Sequence, residues 1–369
     1  MSKLHLFGNV FEYCKKSGFP AGLGSENGVY PFFTSSDKLS KKIDSFIYEI
    51  PSLIFGTGGK ASVHYCDVKF NTSNDCIVAN PKNIKETFPK FIYYYLRKNF
   101  HLIENGFKGA GLKHISKDYI SKLKIPLPPL SEQKRIAEIL DKADSMRIKR
   151  KESISLLDEF LRSVFLGMFG DPVRNEKGWR LKNLNDCCNK ITDGTHDTPK
   201  RISEGIKFIT GKHIRPFKIN FHNSDYVTIE EHKEIYKRCN PEFRDILYTN
   251  IGVNLGTAAM NTVNYEFSMK NVALLKNKKE IINSRFLEHL LNHEIKKNEI
   301  IRITSFGGAQ QFLSLNQIKS IKILIPPLNL QTQFAQIVEQ VEMTKSKMEE
   351  SLKEMDNQFN GLLQKAFKG

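Results

Sequence analysis

The segment Leu123-Lys124-Ile125-Pro126-Leu127-Pro128-Pro129-Leu130 returns 198 residues later as Ile321-Lys322-Ile323-Leu324-Ile325-Pro326-Pro327-Leu328. A repeat of this kind constrains the fold strongly, because each copy must find equivalent surroundings. At the same offset, without a gap, Gln133 falls on Gln331, Ile136 on Phe334, Ala137 on Ala335, Ile139 on Ile337, Asp158 on Asp356 and Phe169 on Phe367. Each copy reads as a short apolar strand, a Pro-Pro turn and a helix, since helix cannot run through the prolines and Ser131 and Asn329 are good N-caps.

Beyond the turns the apolar residues step by four and three, the pattern of a coiled-coil seam. In the second copy the seam is Phe334, Val338, Val341, Lys345, Met348, Leu352, Met355, Phe359, Leu362 and Ala366. The first copy matches it with Ile136, Leu140, Ala143, Arg147, Arg150, Ile154, Leu157, Leu161, Val164 and Met168. Arg147 and Lys345 therefore stand mid-seam and need partners, for which Asp144, Glu349 and Glu350 are candidates. The first helix is expected to stop at Gly170-Asp171-Pro172, and the second to run to Gly369.

The segments before the helices are less alike. Leu53-Ile54-Phe55-Gly56-Thr57 parallels Val253-Asn254-Leu255-Gly256-Thr257, followed by Tyr65 and Tyr265. Each half carries a helical stretch, Phe91 to Arg97 and Phe286 to Leu291, then a glycine-containing loop, Gly106 to Gly111 and Phe306 to Ala309. Short β-branched and aromatic runs broken by Gly, Asn and Asp predict mixed α and β domains with long loops. The expected organisation is a domain over 1–125, a turn and helix over 126–170, a second domain over 171–323, and a second turn and helix over 324–369. The fold class is α+β, with two mixed domains separated by two long helices that form an antiparallel coiled coil.

Charge separates these parts. Residues 1–125 hold 18 Lys and Arg against 10 Asp and Glu, and residues 171–323 hold 25 against 17, each a net +8. The helical blocks are nearly neutral, 8 against 7 over 126–170 and 5 against 6 over 324–369. The basic excess of a chain with pI 9.4 thus belongs to the two mixed domains, and points to an acidic partner, nucleic acid before membrane. No stretch is long and apolar enough to span a bilayer, and Met1-Ser2-Lys3-Leu4-His5 starts neither a signal nor a transit peptide, so a cytoplasmic location is expected. The six cysteines form no Cys-x-x-Cys pair and read as buried thiols.

Catalytic readings are weak. Gly56-Thr57-Gly58-Gly59-Lys60-Ala61 hints at a phosphate loop, but Ile54 stands where its first glycine belongs and Ala61 where Ser or Thr would hold magnesium. Asn240-Pro241-Glu242-Phe243 resembles the Asn-Pro-Pro-Phe of amino-methyltransferases, yet Glu242 replaces a proline and no Gly-rich motif precedes it. Neither His213 nor His196 has a His or Cys partner four residues away to share a metal, and no nucleophile signature occurs. The chain reads as non-enzymatic, with no metal and no cofactor of its own.

Ile125-Pro126-Leu127-Pro128-Pro129-Leu130-Ser131-Glu132-Gln133-Lys134-Arg135-Ile136-Ala137-Glu138-Ile139-Leu140 resembles the conserved segment of type I restriction-modification specificity subunits. Gly178-Trp179-Arg180-Leu181 resembles the entry to a target recognition domain. Tyr30-Pro31-Phe32-Phe33-Thr34-Ser35-Ser36, Phe55 to Ser62 and Phe70 to Asp75 are similar to stretches common in such domains. Nothing before Leu4 corresponds to Gly178-Trp179, so the chain is expected to start slightly inside a typical first domain. The resemblance implies a DNA sequence-specificity subunit with two target recognition domains, each reading half of a bipartite site in double-stranded DNA. It implies two methyltransferase subunits and restriction/translocase subunits as partners, and places S-adenosylmethionine, ATP and Mg in them.

Expected DNA contacts are loop residues of the basic domains: Lys60, Lys108, Lys113 and His114, then His196, Lys212, His213, Arg215, Asn250 and Asn254. Lys and Arg suit guanine edges and phosphates, and Asn suits adenine. Helix and partner contacts are expected at Ile136, Leu140, Ile154, Leu157, Leu161, Phe334, Val338, Leu352 and Phe359. Two other readings stay open, the recognition subunit of another modification or phage-defence system and a coiled-coil scaffold that does not bind DNA.

Overall fold

The computed structural model describes residues 3–109, 111, 113–252, 254–307 and 310–368. They form two compact units, 1–152 with 349–369, and 153–348. The division falls inside both long helices, so each unit contains one half of each.

In unit 1 the strands are β1 (Leu4–Leu6), β2 (Phe11–Tyr13), β3 (Tyr30–Phe33), β4 (Lys41–Ile43), β5 (Ser52–Gly56), β6 (Ser62–Cys66), β7 (Asn71–Thr72), β8 (Cys76–Pro81) and β9 (Lys124–Pro126). The helices are α1 (Phe7–Val10), α2 (Pro89–Lys98), α3 (His101–Glu104), α4 (Lys117–Ser121) and the first part of α5 (Leu130–Phe169). A four-stranded sheet runs β2-β8-β5-β6, a three-stranded one runs β4-β3-β7, and β1 pairs with β9. β5 is apolar without alternation because both its faces are covered: Leu53 and Phe55 face the core under α2, and Ile54 faces a second cluster with Phe33 and Phe70.

Unit 2 repeats this plan. Its strands are β10 (Arg180–Asn183), β11 (Cys188–Asp193), β12 (Ile206–Thr210), β13 (Ile214–Arg215), β14 (Lys218–Ile219), β15 (Asp225–Val227), β16 (Ile246–Tyr248), β17 (Ala258–Met260), β18 (Ser268–Lys270), β19 (Ala273–Asn277), β20 (Ser305–Gly307), β21 (Gln310–Phe312) and β22 (Lys322–Ile325). Its helices are α6 (Ile229–Arg238), α7 (Ser284–Asn292), α8 (Glu294–Arg302), α9 (Leu315–Ser320) and part of α10 (Leu328–Ala366). The sheets are β11-β19-β16-β17 and β15-β12-β18, and β10 pairs with β22. Both three-stranded sheets combine one antiparallel and one parallel neighbour, β3 with β4 and β7, β12 with β15 and β18. Leu4 opposes Pro126 as Leu181 opposes Leu324.

One sequence parallel needs correction. The counterpart of β5 is β16, whereas Asn254 to Thr257 lie in the following loop, so matching Leu53-Ile54-Phe55-Gly56-Thr57 to Val253 onward joined a strand to a loop. Tyr65 lies in β6 and Tyr265 in the loop before β18, so they are not equivalents either. Val253, and Ala110, Gly308 and Ala309 of the glycine loops, lie outside the described residues.

The repeat shows its structural use at the Pro-Pro turns. Gln133 is fully buried; its Nε2 donates to Pro128 O and Glu86 O, both at 2.7 Å, and its Oε1 accepts Phe88 N–H at 2.8 Å. Gln331, equally buried, donates to Pro326 O at 2.8 Å and Ile281 O at 3.2 Å, and accepts Asn283 N–H at 2.9 Å. Each glutamine thus ties the turn to the loop that starts α2 or α7. The long helices begin at Leu130 and Leu328, ahead of the expected Ser131 and Asn329, and the carbonyls of Pro129 and Pro327 accept their first N–H bonds.

The helix halves run antiparallel within each unit. In unit 1, Arg147 bonds Asp356 at 2.6 Å, while Ile136 and Leu140 share a core with Phe359 and Leu363. In unit 2, Lys345 reaches Asp158 at 2.8 Å, and Phe165 and Phe169 pack on Phe334 at 5.5 and 5.4 Å between centroids. Arg147 also bonds Asp144 at 2.6 Å, as expected, but its second partner is Asp356 and that of Lys345 is Asp158, in place of Glu349 or Glu350. Asp158 and Asp356 are repeat mates, as are Arg147 and Lys345, so the two units make one pair with the helices' roles exchanged. Ile136, Leu140, Leu161, Phe334, Val338 and Phe359 are buried; Ile154, Leu157 and Leu352 are half-buried.

α5 ends at Phe169, where Gly170 takes a left-handed φ of 79°. Trp179 Nε1 donates to Phe169 O at 2.8 Å and Lys177 Nζ to Met168 O at 3.0 Å, supplying donors the last turn lacks. The Gly178-Trp179 signature is a helix cap.

Candidate nucleic-acid interface

In unit 1 the loop after β5 meets the loop before α4. Thr57 O accepts Ile115 N–H and the His114 ring Nδ1–H, both at 3.1 Å, and Lys108 and His114 exchange backbone bonds at 3.0 Å. This brings Lys60, Lys108, Lys113 and His114, all exposed, to one end of the unit. Lys60 bonds Asp37 at 2.6 Å, and that bond holds the Asp37 carboxyl below the usual carboxylate range. Lys108 and Lys113 make no ion pair among the described residues and keep their charge for a partner.

In unit 2 the corresponding loop, after β16, is tied to the segment before α9. Leu313 N–H donates to Asn250 O at 2.8 Å, and Asn250 Nδ2 to Leu313 O at 3.3 Å. Asn254 Nδ2 donates to Gly211 O at 3.0 Å and Ile214 O at 3.3 Å, so Lys212 and Arg215 join the same cluster. Both lysine and arginine are exposed, with Arg215 Nη1 braced on Lys212 O and Ile214 O at 2.9 Å. Burial would raise the Asp225 carboxyl, but Lys212 at 3.0 Å and Arg201 at 3.4 Å hold it below its ordinary value.

Three residues differ from the sequence expectation in what they can offer. His213 is buried, its Nδ1 accepting Thr210 N–H at 2.9 Å and its Nε2 donating to Asn223 O at 3.1 Å. Burial, then the Lys212 charge, lowers its pKa, so it serves as a neutral turn brace. Asn250 is also buried, with its Oδ1 unpartnered. His196 is exposed but stands apart, its ring between Asp193 and Asn271, each at 2.9 Å.

Sequence reasoning missed Lys218, exposed in the hairpin β13-β14 beside Arg215. The turn of that hairpin puts Phe217 at φ 63°, a costly conformation for a bulky residue, of order 1–3 kcal/mol. Its ring packs on that of His289, tilted by 34° at 4.4 Å between centroids, a contact that holds the turn in place. The spacing Arg215-Pro216-Phe217-Lys218 was a usable signal, because residues three apart across a two-residue turn are cross-strand neighbours in a hairpin.

The near-phosphate-loop Gly56 to Ala61 is the turn between β5 and β6. Among the described residues no cluster could hold a metal ion, and no helix is long and apolar enough to cross a membrane. The arrangement offers cations and amides on loops, suited to binding a polyanion.

The Type I restriction modification DNA specificity domain family matches residues 7–157 and again 176–355. The EcoDI specificity subunit of Escherichia coli is 28% identical over 169 residues, 45% of this chain and 37% of that protein. The MjaVIII specificity subunit of Methanocaldococcus jannaschii is 22% identical over 364 residues, 91% of this chain and 84% of that one. Among solved structures, the type I restriction-modification S subunit from M. genitalium is 20% identical, with 100% of this chain and 96% of that one covered at a TM-score of 0.67. At that identity the likeness is one of fold.

Proposed function

The chain belongs to the type I restriction modification DNA specificity family, and from that premise we propose that it is the subunit that reads DNA sequence for a methyltransferase and endonuclease complex. Each unit reads one half of a bipartite site. The observation that carries this reading is that two units of one topology each gather exposed cations around one loop: Lys60, Lys108 and Lys113 around the loop after β5 in one, and Lys212 and Arg215, tied through Asn254, beside the loop after β16 in the other. Lys60, Lys108, Lys113, His114, His196, Lys212, Arg215 and Asn254 are the contacts it assigns, with His213 and Asn250 shaping the loops behind them.

The chain does no chemistry of its own in this proposal. Methyl transfer and translocation belong to two methyltransferase subunits and to restriction subunits, which carry S-adenosylmethionine, ATP and Mg. Those subunits dock on the long helices. In support, Ile139, Met146 and Ile148 in the unit 1 part of α5, and Leu156, Phe160 and Leu166 in the unit 2 part, are exposed apolar residues on nearly neutral helices.

Sequencing DNA methylation in a host that carries this chain with its methyltransferase tests the reading. A bipartite methylated motif should be present and should vanish on deletion of this chain alone. A motif that persists without it would refute the proposal.

A further inference from the structure

Unit 2 carries a hairpin that unit 1 lacks. β12 pairs with β15 as β3 pairs with β4, but the intervening chain runs over 211–224 in unit 2 and only over 34–40 in unit 1. The added length holds β13 and β14, in which Ile214 opposes Ile219 and Arg215 opposes Lys218. Strand alternation sends these two pairs to opposite faces. Ile214 and Ile219 are buried in a core with Leu247, Ala259 and Met269, whereas Arg215 and Lys218 are exposed.

Two features of the hairpin are unfavourable in themselves. Its turn is Pro216-Phe217 with Phe217 left-handed, a type II turn, which takes Gly or Asn at the second place and matches the twist of a hairpin poorly. Arg215 and Lys218 are like charges directly opposed across the strands, and they repel. Neither makes an ion pair among the described residues, whereas the neighbouring Lys212 and Arg201 share Asp225. The surroundings nevertheless hold the hairpin in this form. Phe217 N–H donates to Ala258 O at 3.3 Å, its ring packs on His289, and Asn254 Nδ2 donates to Ile214 O at 3.3 Å. A costly conformation that its neighbours enforce implies a use, and an uncompensated pair of cations implies an anionic partner.

The guanidinium of Arg215 is also set in place. Its Nη1 commits both hydrogens, to Lys212 O and Ile214 O at 2.9 Å each, which leaves the parallel Nε–H and Nη2–H without a partner among the described residues. Two parallel donors match the N7 and O6 acceptors on the major-groove edge of guanine, and a two-stranded ribbon is narrow enough to enter that groove. Lys218 is a point charge on a flexible stem and suits a phosphate.

We propose that the β13–β14 hairpin is the element by which unit 2 enters the major groove, with Arg215 reading one guanine and Lys218 holding a backbone phosphate beside it. The inference rests on the DNA-reading function and deepens it, because it separates a contact that specifies from one that positions. Since unit 1 lacks the hairpin, the effect is confined to the half-site of unit 2.

The test uses the full chain assembled with its methyltransferase subunits. Arg215→Lys keeps the charge and removes the fork. Methylation mapped across a genome should show one guanine position of one half-site relaxed, with discrimination there reduced roughly five- to 150-fold, and the other half unchanged. The salt dependence of binding should stay as in the wild type. Lys218→Gln should keep the wild-type motif, weaken binding to motif and scrambled duplexes by one factor, and lower the slope of log K against log salt by about one. An unchanged motif in Arg215→Lys, relaxation at an A·T position or in both halves, or loss of methylation at every site overturns the guanine assignment. Equal weakening of motif and scrambled duplexes by Arg215→Lys makes Arg215 a phosphate contact and overturns it too. An altered motif or an unchanged slope in Lys218→Gln overturns the phosphate assignment. A wild-type complex with no bipartite motif removes the recognition reading itself, whereas a wild-type motif untouched by Arg215→Lys removes this inference alone.

Discussion

Replacing Gln331 by methionine keeps the volume of a fully buried side chain and deletes its three hydrogen bonds. Two partners, Asn283 N–H at 2.9 Å and Pro326 O at 2.8 Å, lose short bonds, and Asn283 is also the N-cap of α7. Each buried group left unpaired costs about 1–3 kcal/mol, and the longer bond to Ile281 O contributes little, so unit 2 should lose roughly 2–6 kcal/mol. The single tryptophan, Trp179, sits in unit 2 against the end of α5 and reports this loss by fluorescence in urea. With a slope of about 1–3 kcal/mol per molar urea, the midpoint should fall by roughly 1 M or more. Gln133→Met, whose bonds lie in unit 1, should move the Trp179 transition less. A Gln331→Met loss below about 0.5 kcal/mol would show that the turn holds itself without the clamp and would refute the reasoning.

Other outcomes follow from the same contacts. Asp158→Lys or Lys345→Asp alone should destabilise unit 2, and the double variant should recover about 0.2–1 kcal/mol of coupling, because the pair is largely exposed; a double-mutant cycle with no coupling would contradict the antiparallel register. Burial, then the Arg285 charge, pushes His289 down to about 3. The unfolded ring charges near pH 6.5, so the unfolded state binds the extra proton, and the neutral ring's contribution is complete above that pH and lost as pH falls toward 3. The stability gap between wild type and His289→Leu should therefore narrow from roughly pH 6 to pH 4, by at most about 1.4 kcal/mol per unit, and a gap independent of pH would exclude that origin. Leu161→Asp, which buries a charge between the helix halves of unit 2, should abolish methyltransferase assembly in size-exclusion chromatography, and assembly at wild-type affinity would reduce the helices to spacers.

The long helices were legible because their information is periodic and local: the seam from Phe334 to Ala366 predicts its buried face without knowledge of a partner. The partners of Arg147 and Lys345 were not, since Asp356 and Asp158 are distant in sequence and only an antiparallel register brings them near. The repeat flagged Gln133 and Gln331 as equals, but the clamp depends on loop carbonyls that no side-chain pattern reveals. The loop clusters were found through charge and glycine content. His213 shows the limit of that signal, because a histidine between Lys212 and Arg215 looks exposed until the hairpin folds over it. Pairing Leu53 with Val253 failed because short apolar runs containing Gly-Thr read alike in a strand and in a loop.

The central claim is that each unit independently reads one half of a DNA site, and exchange of a whole recognition domain tests it most directly. Residues 171–323 should be replaced by the corresponding domain of a relative with a known motif, and the methylated sites of the hybrid mapped across a genome. The account predicts a bipartite motif with one half replaced and the other kept. A motif altered in both halves, or in neither, would contradict it.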